Sequence, residues 1–285
     1  MSRPSNKKIA LISAAVLAGG VLAAAALDMR LTSVKYEVGS PKVSGKITIA
    51  FISDLHNSLF GKNQSELIAA VENMSPDIVI FGGDLADKTQ DLQPEYSFIL
   101  VRDLAAKYPC YYTIGNHESW RGDSKRIKRQ MEEMGVTVLE GNGDVINING
   151  TEIEICGIYD AYTADYDEQS GEFIGQLEAV TDTDSDRYRI LLAHFPEQIE
   201  EYMTGGFDLV LSGHAHGGQW AIPGLINGVY APGQGFFPKY AGGMYPHGDT
   251  VHIVSRGLWK PSDLLAIPRL FIRPELVEIT ISDYS

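Results

Sequence analysis

From Lys46 onward the chain alternates short, unbroken apolar runs with amphipathic stretches. ITIAFIS precedes a helical pattern over 64–74, IVIFGG one over 95–107, and CYYTIG one over 123–134. Apolar runs this short read as strands buried on both faces, so the pattern predicts a βαβαβα opening. The stretch VTVLEGNGDVININGTEIEICGI changes character and reads as short alternating strands joined by Gly and Asn turns. RILLAHF, a helical pattern over 196–203 and FDLVLSGH then resume the earlier rhythm. From Asn227 the tail is strands and glycine-rich turns, closing on LVEITI. Residues 160–186 carry nine acids and read as a surface excursion around one helix. These elements predict an α/β domain whose sheets are covered by helices.

The N-terminus follows a different pattern. Arg3, Lys7 and Lys8 precede nineteen uncharged residues, 9–27, which as a helix would measure about 28 Å, close to a ~30 Å hydrocarbon core. Residues 1–30 are therefore expected to be a membrane anchor or a removable signal segment, with Ala23 to Ala26 as a candidate cleavage region. A linker is expected over 31–45 and the catalytic domain over 46–285. The basic leader resembles an export signal, which favours a single-pass protein with its domain outside the cytoplasm, or secretion after cleavage. No twin-arginine pair is present.

Charge narrows the partners. The chain has 23 basic and 37 acidic residues, and four of the former and one of the latter precede residue 31, leaving a net −17 beyond it. Such a surface repels nucleic acid. The one basic run, Arg121, Lys125, Arg126, Lys128 and Arg129, reads either as a solvated helix face or as a surface that meets an anionic substrate or lipid headgroups. The two cysteines, Cys110 and Cys156, exclude a cysteine-rich zinc cluster and are either buried thiols or a disulfide pair.

Open α/β sheets place ligands at the carboxyl ends of their strands. Here those ends are uniform in chemistry. The first run stops at Asp54 and His56, the second at Asp84, the third at Asn116, His117 and Glu118, the RILLA run at His194, and LVLSG at His214 and His216. Singly, each residue is explained as a turn or capping residue. Jointly, so many imidazoles and carboxylates on one edge would be unsatisfied without a cation. Mixed oxygen and imidazole donors suit Mn, Fe, Zn or Co rather than Ca. Seven candidate ligands exceed the four of a closed zinc site, which predicts two cations sharing a carboxylate, with Asp84 as the bridge and a hydroxide held between them.

The blocks D-L-H (54–56), G-G-D (82–84), G-N-H-E (115–118), A-H (193–194) and G-H-A-H (213–216) resemble the calcineurin-like metallophosphoesterase family in order and spacing. GHAHGGQW, KYAGGMY, VSRGL and RPELVEITI are similar to its bacterial YkuE-like branch. The resemblance spans 46–282. It implies a four-layer αββα sandwich of two mixed sheets, with one metal on Asp54, His56, Asp84 and His216 and the other on Asp84, Asn116, His194 and His214. It further implies that His117, paired with Glu118, faces the substrate as phosphate binder and general acid. The expected activity is hydrolysis of a phosphodiester or phosphomonoester on a lipid-linked or nucleotide-linked substrate. Alternatives are a UDP-2,3-diacylglucosamine pyrophosphatase-like enzyme of lipid A synthesis, a phosphoprotein phosphatase, or a non-catalytic metal-binding module. Phe236, Phe237, Tyr240 and Tyr245, set among glycines, read either as an apolar lip beside the site or as an ordinary loop tucked into the core.

Overall fold

The computed structural model describes residues 6–88, 95–159, 166–261 and 268–283, without the side chains of residues 6, 8–12 and 166–171. Helix α1 (Asn6–Ala26) and strand β1 (Thr32–Gly39) open the chain. Strand β2 (Lys46–Ile52) leads to helix α2 (Ser65–Met74), and β3 (Ile78–Phe81) leads to α3 (Glu95–Ala105). Strand β4 (Cys110–Tyr112) runs through the short α4 (Asn116–Trp120) to α5 (Ser124–Glu133) and β5 (Thr137–Val138). A hairpin of β6 (Asn142–Ile148) and β7 (Thr151–Gly157) begins the second half, followed by α6 (Tyr166–Ala179), β8 (Tyr188–Leu192), α7 (Ile199–Tyr202) and β9 (Leu209–Ser212). The tail holds β10 (Tyr230–Ala231), β11 (Gly235–Phe236), the hairpin β12 (Gly243–His247) and β13 (Thr250–Val254), and β14 (Glu275–Ser282).

Two six-stranded mixed sheets result, in the orders β1-β14-β2-β3-β4-β5 and β12-β13-β9-β8-β7-β6. Within the first, β2, β3, β4 and β5 are parallel; within the second, β7, β8, β9 and β13 are parallel. The strand period of two assigns the layers. In β2, Ile47, Ile49 and Phe51 pack with Ile190, Leu192, Leu209 and Leu211 of the other sheet, whereas Ala50 and Ile52 face the α2, α3 and α5 residues Leu67, Leu100 and Ile127. On the far side Leu191 and Val210 meet Leu177 of α6 and Ile199 of α7. Helices, sheet, sheet and helices thus form the expected αββα sandwich.

Residues 31–45 are not a plain linker: β1 pairs in parallel with β14 over eight residues, from Thr32 opposite Glu275 to Gly39 opposite Ser282. Its alternating residues are only half buried, which leaves little apolar signal in the sequence. Cys110 and Cys156 are free and buried in separate helix-facing clusters, so they do not pair. Burial pushes their thiols up to about 12 and about 11 respectively. Helix α1 runs for 21 residues, about 32 Å. Among the described residues no helix is long and apolar enough to cross a membrane.

Arg189 ties the second sheet to its helices. It is 1% exposed. Its Nε donates to Glu154 Oε2 at 2.8 Å, and its Nη1 donates to the carbonyls of Asp182 at 2.9 Å and Gly205 at 2.6 Å. Nη2 donates to the Val180 carbonyl, and the guanidinium lies over the Phe207 ring. Methionine could fill the volume but would orphan these acceptors. We therefore expect Arg189→Met to lower stability by about 3–5 kcal/mol, measured as a lower urea midpoint. A loss below about 1 kcal/mol would mean that the carbonyls find other partners.

Candidate metal centre

The parallel strands of both sheets end on one edge, and every candidate ligand lies just beyond such an end. Asp54 and His56 follow β2, Asp84 follows β3, Asn116 follows β4, His194 follows β8, and His214 and His216 follow β9. Five of the seven have left-handed backbones: Asp54 (φ 53), His56 (φ 44), Asp84 (φ 53), His214 (φ 64) and His216 (φ 47). Non-glycine residues rarely adopt this region, and where they do the surrounding structure must hold them. Close contacts do so here. A Cβ at Gly115 would collide with Asp84 Oδ1, and one at Gly213 with Ser53 Oγ and Asp54 Oδ2. Only glycine lets these loops approach the carboxylates.

The side chains converge in three groups of potential donor atoms, each within 4.8 Å: Asp54, His56 and His216; Asp84, His194 and His214; and His56, Asp87 and His117. Asp84 Oδ2 lies 3.2 Å from His194 Nε2 and 3.7 Å from His56 Nε2. Asp54 Oδ1 lies 3.7 Å from His216 Nε2 and 3.9 Å from His194 Nε2. Asn116 is buried and is the first residue of α4. Each carboxylate thus belongs to one of the first two groups and also lies within 4 Å of an imidazole of the other, Asp84 near His56 and Asp54 near His194.

Hydrogen bonding orients the donors and leaves specific atoms over. His194 Nδ1 is 2.7 Å from the Gly82 carbonyl, an arrangement that makes Nδ1 the protonated nitrogen and frees the Nε2 lone pair. Asp54 accepts from the Ser53 hydroxyl at 2.6 Å and from the His214 amide at 3.0 Å. Asp84 Oδ1 accepts from the His117 amide at 2.8 Å. By contrast Asp84 Oδ2, both ring nitrogens of His56, Asn116 Oδ1, His194 Nε2 and His216 Nδ1 are buried with no well-formed hydrogen bond. Orphaned buried polar atoms are costly. Six of them on five residues of one sheet edge are what a cation there would satisfy.

Electrostatics describe the same frustration. Burial raises the Asp54 carboxyl, and repulsion from Asp84 adds to this although His194 opposes it. Asp84 is also penalised by burial, but His194 and the other imidazoles hold it well below the ordinary range. His194 is pulled down by burial, yet Asp84 and Asp54 carry it to about 10. His214 is depressed to about 3 by burial and by His194, and His216 is depressed by burial and by His56. With only protons to share, the cluster splits into charged and neutral imidazoles. Cations would let every carboxylate stay ionised and every imidazole neutral.

Glu118 corrects one expectation. It does not hold the His117 imidazole. Fully buried, it accepts from the amides of Asp84 at 2.9 Å and Gly115 at 3.0 Å through Oε2, and of Ala86 at 2.9 Å through Oε1. It staples the Asp84 loop to the Asn116 loop. The group beside His117 is Asp87, whose Oδ2 lies 3.7 Å from His117 Nδ1 and 3.6 Å from His56 Nδ1, while the Lys88 amide donates to His117 Nδ1 at 3.2 Å. Asp87 was not singled out from sequence; its place three residues beyond Asp84 was the available signal. Glu118→Gln would turn an amide NH2 toward donors, so we expect roughly 10–100-fold weaker metal retention although Glu118 touches no candidate donor atom. Metal titration of the folded variant checks this, and unchanged affinity would reduce Glu118 to a packing role.

With this geometry in hand, known proteins supply the context. The calcineurin-like phosphoesterase family model matches residues 47–218, which include the seven candidate ligands together with Asp87, His117 and Glu118. An uncharacterized metallophosphoesterase of Helicobacter pylori is 30% identical over 82% of this chain and 59% of its own length. Phosphodiesterase YaeI of Escherichia coli is 28% identical over 82% and 81%, and the uncharacterized metallophosphoesterase YkuE of Bacillus subtilis 28% identical over 82% and 78%. The chain thus spans about three-fifths of the Helicobacter relative. Among solved structures, the NAD nucleotidase NadN of Haemophilus influenzae aligns with a TM-score of 0.47 at 16% identity, over 79% of this chain and 49% of its own. The chain belongs to the calcineurin-like phosphoesterase family.

Proposed function

We propose that this chain is a metal-dependent hydrolase of phosphoric esters that works with two divalent ions, one held by Asp54, His56, Asp84 and His216 and the other by Asp84, Asn116, His194 and His214. The observation that carries this reading is the set of buried, unsatisfied atoms on these residues, Asp84 Oδ2 above all. Nitrogen and oxygen donors in this mixture favour Mn, Fe, Zn or Co. Such ions supply Lewis acidity toward the phosphoryl oxygens and toward water. The protein's own part is orientation and proton transfer. The Gly82 carbonyl fixes the His194 tautomer, and the Glu118 carboxylate fixes the loops. His117 is partly exposed on the rim of the centre, and the Lys88 amide that donates to its Nδ1 leaves Nε2 as the nitrogen that carries the proton. That arrangement supports His117 as the acid that protonates the departing oxygen.

The substrate in this reading is a lipid-linked or nucleotide-linked phosphate ester, and residues 1–30 act as the membrane anchor. Support for the anchor is the uncharged run at 9–27 together with the exposure of its described apolar side chains. The net −17 beyond residue 30 disfavours phosphopeptides and nucleic acid as partners.

Two measurements test the chemistry. Metal analysis of the active protein is expected to give two ions per chain, and Asp84→Asn is expected to deplete both; a single ion in fully active protein contradicts the shared carboxylate. His117→Ala is expected to keep both ions, to slow an alkyl phosphate ester by about 10²–10⁴, and to slow a p-nitrophenyl ester much less, because nitrophenolate departs without a proton. Equal slowing of both esters would assign His117 to phosphate binding instead.

A further inference from the structure

The loops that follow His216 carry an exposed apolar rim that catalysis does not explain. Between His216 and Lys239 there is no Asp, Glu, Lys, Arg or His, in a chain that is 21% charged. Leu225 is 79% exposed, Phe236 74% and Phe237 68%; Trp220 and Ile222 are also exposed. Exposed, clustered apolar side chains of this size mark a contact surface. Phe237 holds φ 57 while exposed, a conformation disfavoured for an aromatic residue and without benefit to the core.

The rim is one connected surface. The Val229 amide donates to the Trp220 carbonyl at 2.9 Å and the Phe237 amide to the Val229 carbonyl at 2.8 Å, while the Tyr230 and Phe236 rings meet edge-on. At one end it joins the metal centre, where the Gln219 amide donates to the His216 carbonyl at 3.3 Å. At the other it joins helix α1. The Trp220 indole donates to the Pro268 carbonyl at 2.8 Å, the Ala221 amide donates to the Leu270 carbonyl at 2.9 Å, and the Phe271 amide donates to the Ala26 carbonyl, the last residue of α1, at 2.8 Å. A groove of about 460 Å³ lies between Phe271 and the loop bearing Ile222 and Leu225. Along α1, Val16, Leu17, Val21 and Leu22 are 61–71% exposed and no described side chain beyond Lys7 is charged.

We propose that this rim rests on a lipid bilayer, so that the metal centre takes its phosphate ester from the membrane surface. The choice of a bilayer over a protein partner follows from continuity: the rim starts where an exposed helix without a polar face ends. A solvated helix would carry a polar stripe, and a docked protein would need one complementary face, whereas lipid wets every side. Trp and Tyr at the border suit the interfacial zone, with Leu225, Phe236 and Phe237 deeper. The consequence for substrate is an amphiphile whose phosphate lies at headgroup level. That second half rests on the hydrolytic reading above; the bilayer contact does not.

The test uses the full chain with Leu225→Cys carrying an NBD label, since Cys110 and Cys156 are buried. Val145→Cys, 45% exposed on β6 at the far edge of the second sheet, is the control. On mixing with phosphatidylcholine–phosphatidylglycerol vesicles, NBD emission is expected to rise several-fold and shift blue at 225 and to stay unchanged at 145. No change at 225, or equal changes at both, overturns the proposal. A rise at 225 with protein concentration and no vesicles identifies a second copy of the chain as the occupant and also overturns it. For the substrate, Leu225→Ser with Phe236→Ser is expected to lower turnover of a vesicle-embedded phosphate ester about tenfold relative to a soluble one. An unchanged ratio overturns presentation from the membrane. A wild-type protein that cleaves neither ester would instead sink the hydrolytic reading and leave the fluorescence outcome to decide the contact.

Discussion

Asp54 and Asp84 are two buried carboxylates that share the same imidazoles, and the rest of the architecture is arranged around tolerating them. Neither could stay ionised at that depth without nearby positive charge. In the protein alone, His194 supplies it imperfectly, with its Nε2 3.2 Å from Asp84 Oδ2 but without a hydrogen bond in good geometry. The fold accepts further costs to keep this arrangement: five left-handed ligand backbones, and glycines where any side chain would strike a carboxylate. Expenditure of this kind on one edge of a well-packed sandwich is explained by a function located there.

The sandwich gives the stiffness that such strain needs. The inner faces of the two sheets interlock through unbroken rows of Ile, Val and Leu, and the helices seal the outer faces. Strand ends from both sheets are thereby fixed relative to one another, and groups more than a hundred residues apart in sequence, such as the Gly82 carbonyl and the His194 ring, meet at hydrogen-bonding distance. Glu118 fastens the loops after β3 and β4 in the same way from beneath. Rigid elements with short, strained connections are what preorganise a site.

Much of this was legible in the sequence because the governing periodicities are strong. Strands buried on both faces leave unbroken apolar runs, and the residue after each run is the one delivered to the sheet edge, so the seven candidate donors and the αββα layering could be read from pattern and from family resemblance. What escaped depends on direction and pairing. The Glu118 side chain points into the loops rather than toward its neighbour His117, a choice made by three amide donors that sequence does not display. Asp87 lies in the same turn as Asp84 but outside any quoted block. Strand β1 is half exposed and pairs with a partner some 240 residues away, so neither its composition nor its surroundings in the chain announce it.

The most direct test of the central claim is anomalous scattering from crystals of the protein grown with Mn²⁺ or Zn²⁺. The account predicts two peaks, about 3.5–4 Å apart, with the Asp84 carboxylate between them, His56 and His216 on one side, and His194 and His214 on the other. A single peak, or a second peak enclosed by His56, Asp87 and His117 with Asp84 bound to only one ion, would contradict it.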